Sequence, residues 1–167
     1  MIEISREIYN VILFSWIGIA VLLFPVLLKI TAPYGRHTKS NLGPMIDNRI
    51  GWILMELPAL LVFSYFMLTG SNRLNVVFAI IFILWGSHYT YRSIVYPLRL
   101  KTGRKKMPVL IMLFAVVFNC INGFINGYWF GSLSPVYAVD WLADIRFIAG
   151  FILFFAGFAI HQYHDQI

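Results

Sequence analysis

Glu56, His88, Tyr89, Arg92, Asn119, Asn122 and Asn126 are polar or ionisable side chains set inside apolar stretches of this 167-residue sequence, and His161, His164 and Asp165 close its last one. A polar group taken out of water must be hydrogen-bonded, paired or put to use. On a 3.6-residue helical period Tyr89, Arg92 and Tyr96 share one face, and His88 stacks on Arg92. Asn119, Asn122 and Asn126 recur at i, i+3 and i+7, and His161, His164 and Asp165 at i, i+3 and i+4. Each set has a plain reading. Glu56 pairs with Arg92, the asparagines bond helix to helix, Arg92 snorkels to the surface, and the two terminal histidines are solvated. His161, His164 and Asp165 have a spacing that a metal accepts, but the pattern is weak and no metal is assigned. Four histidines are too few for a membrane di-iron hydroxylase.

The elements that carry these residues follow from composition. Hydrophobic residues make up 60% of the chain and charged residues 12%, against about 45–50% and about 25% in soluble domains. A chain this short has too much surface to hide that apolar content in water. Disorder, a collagen-like repeat and a disulfide scaffold are excluded, and the single Cys120 has no partner within the chain. The expected fold is all-α, a polytopic transmembrane helix bundle forming one membrane domain over residues 1–167. The net charge of +6 belongs to basic loops at a membrane surface rather than to nucleic-acid binding, because no nucleic-acid module is present.

Charge-free stretches of about 20 residues place five spans near residues 8–29, 50–69, 75–98, 108–130 and 146–164. The first is too long, and its leader too acidic, for a cleaved signal peptide. The loop after the first span carries Lys29, Arg36, Lys39 and Arg49, and the loop after the third carries Arg99, Lys101, Arg104, Lys105 and Lys106. These loops are expected to face the cytoplasm. The N-terminus is then outside or lumenal, and residue 167 is cytoplasmic. Glu56 and Tyr89 lie roughly 10–15 Å below the cytoplasmic surface, so four helices offer polar groups to one cytoplasm-facing cavity.

In order and spacing, Ala32-Pro33-Tyr34-Gly35-Arg36-His37, Glu56-Leu57-Pro58, His88-Tyr89-x-x-Arg92-x-x-x-Tyr96-Pro97, Lys106-Met107-Pro108, Asn122-Gly123 and Asp140-Trp141-x-x-Asp144-x-Arg146-Phe147 follow one another. Over about residues 30–167 the chain resembles the steroid 5α-reductase (3-oxo-5α-steroid 4-dehydrogenase) family. The resemblance implies a seven-helix bundle and an NADPH-dependent reduction of the double bond of an enone lipid, a 3-oxo-4-ene steroid or a related polyprenol or enoyl lipid. It implies that Glu56 and Tyr89 hold the substrate carbonyl as two donors, which requires Glu56 to carry a proton. The cofactor falls to Tyr34, Arg36, Arg104, His161 and Asp165, where arginine suits a phosphate. The substrate cavity falls to Met55, His88, Arg92, Asn119 and Asn122.

The sequence departs from the family pattern at several places. Met55 stands where steroid-reducing members often carry glutamine, Tyr91 where a histidine is usual, His161 for an asparagine and His164 for a serine. The chain ends after the fifth expected span, so it is expected to be a truncated member, inactive alone and prone to self-association. The alternatives are a membrane methyltransferase of the isoprenylcysteine type and a non-catalytic membrane protein whose polar residues serve packing.

Overall fold

The computed structural model describes residues 3–30, 42–72, 75–101 and 105–164. Helix α1 spans Arg6–Lys29 and begins where the Ser5 hydroxyl accepts from the Ile8 amide, a side-chain cap for an orphan N–H. Asp47 does the same for α2 (Asn48–Thr69), accepting from the amides of Arg49 and Ile50. Asn75 caps α3 (Val76–Thr90) through the Phe78 amide. A π-helical turn at Tyr91–Val95 follows without a break, then the single turn α4 (Tyr96–Arg99). Helix α5 (Val109–Tyr128) continues into a second π turn, Trp129–Leu133. A 3₁₀ turn at Val139–Ala143 leads into α6 (Ile145–His164). From the first turn of α6, Arg146 grips Asp144 just ahead of the helix through both carboxylate oxygens and holds that carboxyl down at about 2.

Among the described residues four helices are long and apolar enough to cross a membrane: Arg6–Lys29, Asn48–Thr69, Val109–Leu133 and Ile145–His164. The third expected span is corrected in form. Its α-helical part is only 15 residues, about 22 Å at 1.5 Å per residue, and the π turn and α4 complete it to Arg99. Pro97 lacks the N–H that would bond back one turn, and the widened turn ends two residues before it.

The all-α expectation also missed a small antiparallel sheet. Strand β1 (Met45–Asp47) pairs with β2 (Lys106–Pro108), with Met45 opposite Pro108 and Asp47 opposite Lys106. Arg49 strengthens the joint by donating to the Leu100 carbonyl at 2.8 Å. The described parts of the two basic loops therefore share one end of the bundle. At the other end Arg6 reaches the Leu133 carbonyl, and Asn72 bonds the carbonyls of Phe130 and Ser134.

The most extensive helix–helix packing is between α2 and α5. Gly123, Gly127 and Gly131 recur every fourth residue, the small-residue spacing that lets membrane helices touch backbone to backbone. A Cβ on Gly127 would lie 2.7 Å from the Phe63 carbonyl oxygen and 2.9 Å from its Cα. Neither atom can move without its helix. Gly127→Ala is therefore predicted to cost about 1–3 kcal/mol, the usual range for overpacking, in unfolding of the micelle-solubilised protein. Gly18→Ala, with nothing within 4 Å, should leave stability near the parent value; equal losses at both sites would refute this packing role.

Around that seam Ala59, Phe63, Met67, Val77 and Phe78 are almost fully buried. Trp85 stacks on Phe63 at 4.3 Å and donates to the Ala59 carbonyl. Helix α1 is pinned by its first turns: Tyr9 donates to the Ile125 carbonyl, and Tyr128 bonds both main-chain groups of Ile4. From Ile17 to Lys29 every residue of α1 is exposed, and α6 buries none fully. In a bilayer, lipid solvates such apolar surface.

Candidate active site

Glu56 lies eight residues into α2, about 12 Å from the end that carries the sheet. Its Oε1 accepts from Arg92 Nη2 at 2.9 Å, and the two side chains keep only 12% and 13% exposure. Oε2 faces the Asn119 side-chain amide at 3.5 Å. Both carboxylate oxygens thus act as acceptors in this arrangement. The plain reading, Glu56 paired with Arg92, is present, and the donor role read from the resemblance requires a proton on Glu56.

Arg92 sits in the π turn and lies against two rings that touch each other. Its guanidinium carbon is 4.5 Å from the centroid of Trp52 and 5.1 Å from that of Tyr96. Those rings meet edge to face at 5.0 Å. Nη1 reaches His161 Nε2 on α6 at 3.3 Å. A guanidinium only donates, so in this contact His161 accepts on Nε2. Arg92 thus ties α2 to α6 from α3's continuation.

Tyr89 comes from the last turn of α3. Its ring packs on Trp85 at 4.8 Å and on the edge of His88 at 5.0 Å. Its hydroxyl oxygen accepts from Asn122 Nδ2 at 3.0 Å, and Asn126 in turn donates to Asn122 Oδ1 at 3.1 Å. Buried Ser93 donates to the Tyr89 carbonyl at 2.7 Å, giving that main-chain group a partner beside the π turn. Asn119 bonds the Met55 carbonyl at 2.5 Å.

Glu56, Tyr89, Arg92, Asn119, Asn122 and His161 therefore form two hydrogen-bonded chains across α2, the α3–α4 run, α5 and α6. Two residues of the expected substrate cavity make further contacts. The His88 ring packs against Phe154 and Phe158 of α6. The Met55 side chain is buried with Met107 and Met112 under the sheet end. Tyr34, Arg36, Arg104 and Asp165 lie outside the described residues. No group of three His, Cys, Asp or Glu fit for a metal occurs among those described. A cleft of about 470 Å³ lined by Glu3, Ser5, Ser71, Tyr128 and Ser132 lies at the opposite end of the bundle.

Sequence reasoning missed Trp52, although it stands one turn before Glu56 on the same face. It also missed Trp85, one turn before Tyr89. Spacing was the available signal in both.

Helices fit to cross a bilayer, with ionisable and amide groups gathered between them, define a polytopic membrane protein with a polar site inside its apolar bundle. The family model for 3-oxo-5-alpha-steroid 4-dehydrogenase matches residues 105–167. The steroid 5-alpha-reductase DET2 of Arabidopsis thaliana is 33% identical over 147 residues, covering 84% of this chain and 56% of the relative. The same-named protein of Solanum lycopersicum is 29% identical, covering 100% and 66%. The human 3-oxo-5-alpha-steroid 4-dehydrogenase 1 is 32% identical, covering 80% and 52%. The chain belongs to the steroid 5-alpha-reductase family, and spans about half to two thirds of the length of these relatives.

Proposed function

We propose that this chain carries the carbonyl-binding site of an NADPH-dependent membrane reductase that saturates the C=C bond of an enone lipid, such as a 3-oxo-4-ene steroid. The supporting observation is the convergence of Tyr89 and Glu56 from neighbouring helices, each held by an asparagine of α5. Saturating an enone at its β carbon builds negative charge on the carbonyl oxygen. Preorganised donors at that oxygen stabilise the transition state. Tyr89 is one donor. Glu56 is the second when it carries a proton, with Oε1 kept on Arg92 and Oε2 turned to the carbonyl. Trp85 and Trp52, packed behind Tyr89 and Arg92, exclude water and hold both groups in place.

The donor set near the sheet end fits a phosphate-bearing cofactor. Arg49, Arg99, Lys101, Lys105 and Lys106 belong to that end, and Arg99 meets Gln162, the neighbour of His161 on α6, at 3.4 Å. His161 would contact the cofactor directly, and Tyr34, Arg36, Arg104 and Asp165 belong to the same assignment by family resemblance. When bound, NADPH supplies the hydride. The sheet end is assigned to the cytoplasm and the Arg6 end to the outside or lumen, following the basic loops.

The test is a reduction assay on membranes holding the complete protein, with a 3-oxo-4-ene steroid and NADPH. The expected result is a product heavier by two hydrogens that forms only with the nucleotide. Failure to bind or reduce this steroid, polyprenol and enoyl-lipid probes alike would overturn the reading.

A further inference from the structure

We propose that Asn126 and Asn122 are positioning residues that set the direction of the hydrogen bond at Tyr89, so that the phenol presents its hydrogen to the substrate carbonyl. The inference rests on the reading of Tyr89 as a carbonyl donor and adds what makes it one.

The argument starts from a main-chain atom. Asn126 Nδ2 lies 2.9 Å from the backbone oxygen of Asn122 and 3.1 Å from that residue's side-chain oxygen. A backbone carbonyl has no hydrogen, so the Asn126 atom that reaches it is the amide nitrogen. The same nitrogen meets the Asn122 side chain, which must offer an acceptor. The Asn122 amide is thereby fixed with its oxygen toward Asn126 and its nitrogen toward Tyr89, 3.0 Å away. That nitrogen can only donate, so the phenol oxygen accepts. Its own hydrogen is taken by no acceptor among the described residues. A substrate carbonyl also has no hydrogen, and a phenol already accepting from Asn122 meets it with its O–H.

With the Asn122 amide reversed, its oxygen would consume the Tyr89 hydrogen and leave lone pairs facing the carbonyl. The chain begins at a main-chain oxygen, which cannot be reversed, so its direction holds without any charged partner. Helix-to-helix adhesion does not account for Asn126, because both its bonds return to Asn122 one turn back on α5. Only the last link, Asn122 to Tyr89, crosses between helices.

The test compares Asn126→Leu, Tyr89→Phe and the double variant in the complete protein in membranes, with NADPH and a 3-oxo-4-ene steroid. Asn126→Leu is expected to lower kcat at least about 10-fold, a part of the 10²–10³ that one transition-state donor is worth. In the Tyr89→Phe background the same substitution should change the rate less than about twofold, because no hydroxyl is left to direct. An equal fold-loss in both backgrounds would mean a merely structural role and overturn the relay. A near-normal Tyr89→Phe rate would instead overturn the reading of the site on which the relay rests. A second readout needs no turnover. Infrared spectra of ring-labelled tyrosine, with Tyr89→Phe identifying the Tyr89 C–O band, should show that band moving in Asn126→Leu; an unmoved band overturns the relay even if the steroid is not a substrate.

Discussion

Tyr89→Phe is expected to lower the rate of enone reduction by about 10²–10³-fold, or about 2.7–4 kcal/mol of transition-state stabilisation, while the protein accumulates at a level close to that of the parent. The substitution keeps the ring, and with it the packing on Trp85 at 4.8 Å and on His88 at 5.0 Å. It removes one oxygen. The folded state loses the acceptor of the Asn122 amide, and an orphaned buried donor costs about 1–3 kcal/mol. The chemical step loses the group aimed at the carbonyl oxygen, which matters most when that oxygen is most negative. The loss should therefore fall mainly on kcat, measured as initial rates at saturating nucleotide. Glu56→Gln, which retains an N–H donor, should be milder than Glu56→Leu. A Tyr89→Phe enzyme that reduces its enone at nearly the parent rate would remove Tyr89 from the carbonyl.

What the sequence made legible follows the physics of each feature. Glu56, Tyr89, Arg92, Asn119 and Asn122 stand out because a polar group in a long apolar stretch is conspicuous whatever surrounds it. Periodicity then puts each on a helix but does not choose its neighbour. Arg92 shows the difference. A regular 3.6-residue period sets Tyr96 on its face, and that contact is present, but no periodicity within its own helix points to Trp52 on α2, which the guanidinium also covers. A π turn depends on which backbone carbonyl an amide selects, and only Pro97 hinted at it. Strands of three residues are too short for alternation to register. The Gly123, Gly127 and Gly131 repeat was visible at fixed spacing, but its target on α2 was not, since any helix with a shallow groove accepts it. Met55, read as a cavity residue from the family resemblance, is turned about 100° from Glu56 on the helix and packs with Met107 and Met112.

The largest stability effect is predicted at Arg92. Its guanidinium and the Glu56 carboxylate are nearly withdrawn from solvent, with 13% and 12% exposure, at a separation of 2.9 Å. Such a pair is weak evidence of net stabilisation, because desolvating two ions offsets their attraction. Removing one partner is another matter. Arg92→Met fills similar volume and leaves Glu56, among the described residues, with the Asn119 amide at 3.5 Å. Breaking a buried pair in this way costs about 3–5 kcal/mol, and the lost contacts with Trp52 and Tyr96 add about 0.5–2 kcal/mol. Arg92→Lys should fall between the two, since a lysine keeps the charge but not the planar surface that the rings hold. The decisive comparison is Arg92→Met with Glu56→Gln, where no charge remains to strand. That double variant should recover most of the stability lost by Arg92→Met alone, measured by unfolding in detergent micelles. If Arg92→Met is as stable as the parent, the pair is not the joint between α2 and the α3–α4 run. If the double variant is no better than the single, the loss comes from the ring contacts and the tie to His161, and Glu56 does not depend on Arg92 for its place in the bundle.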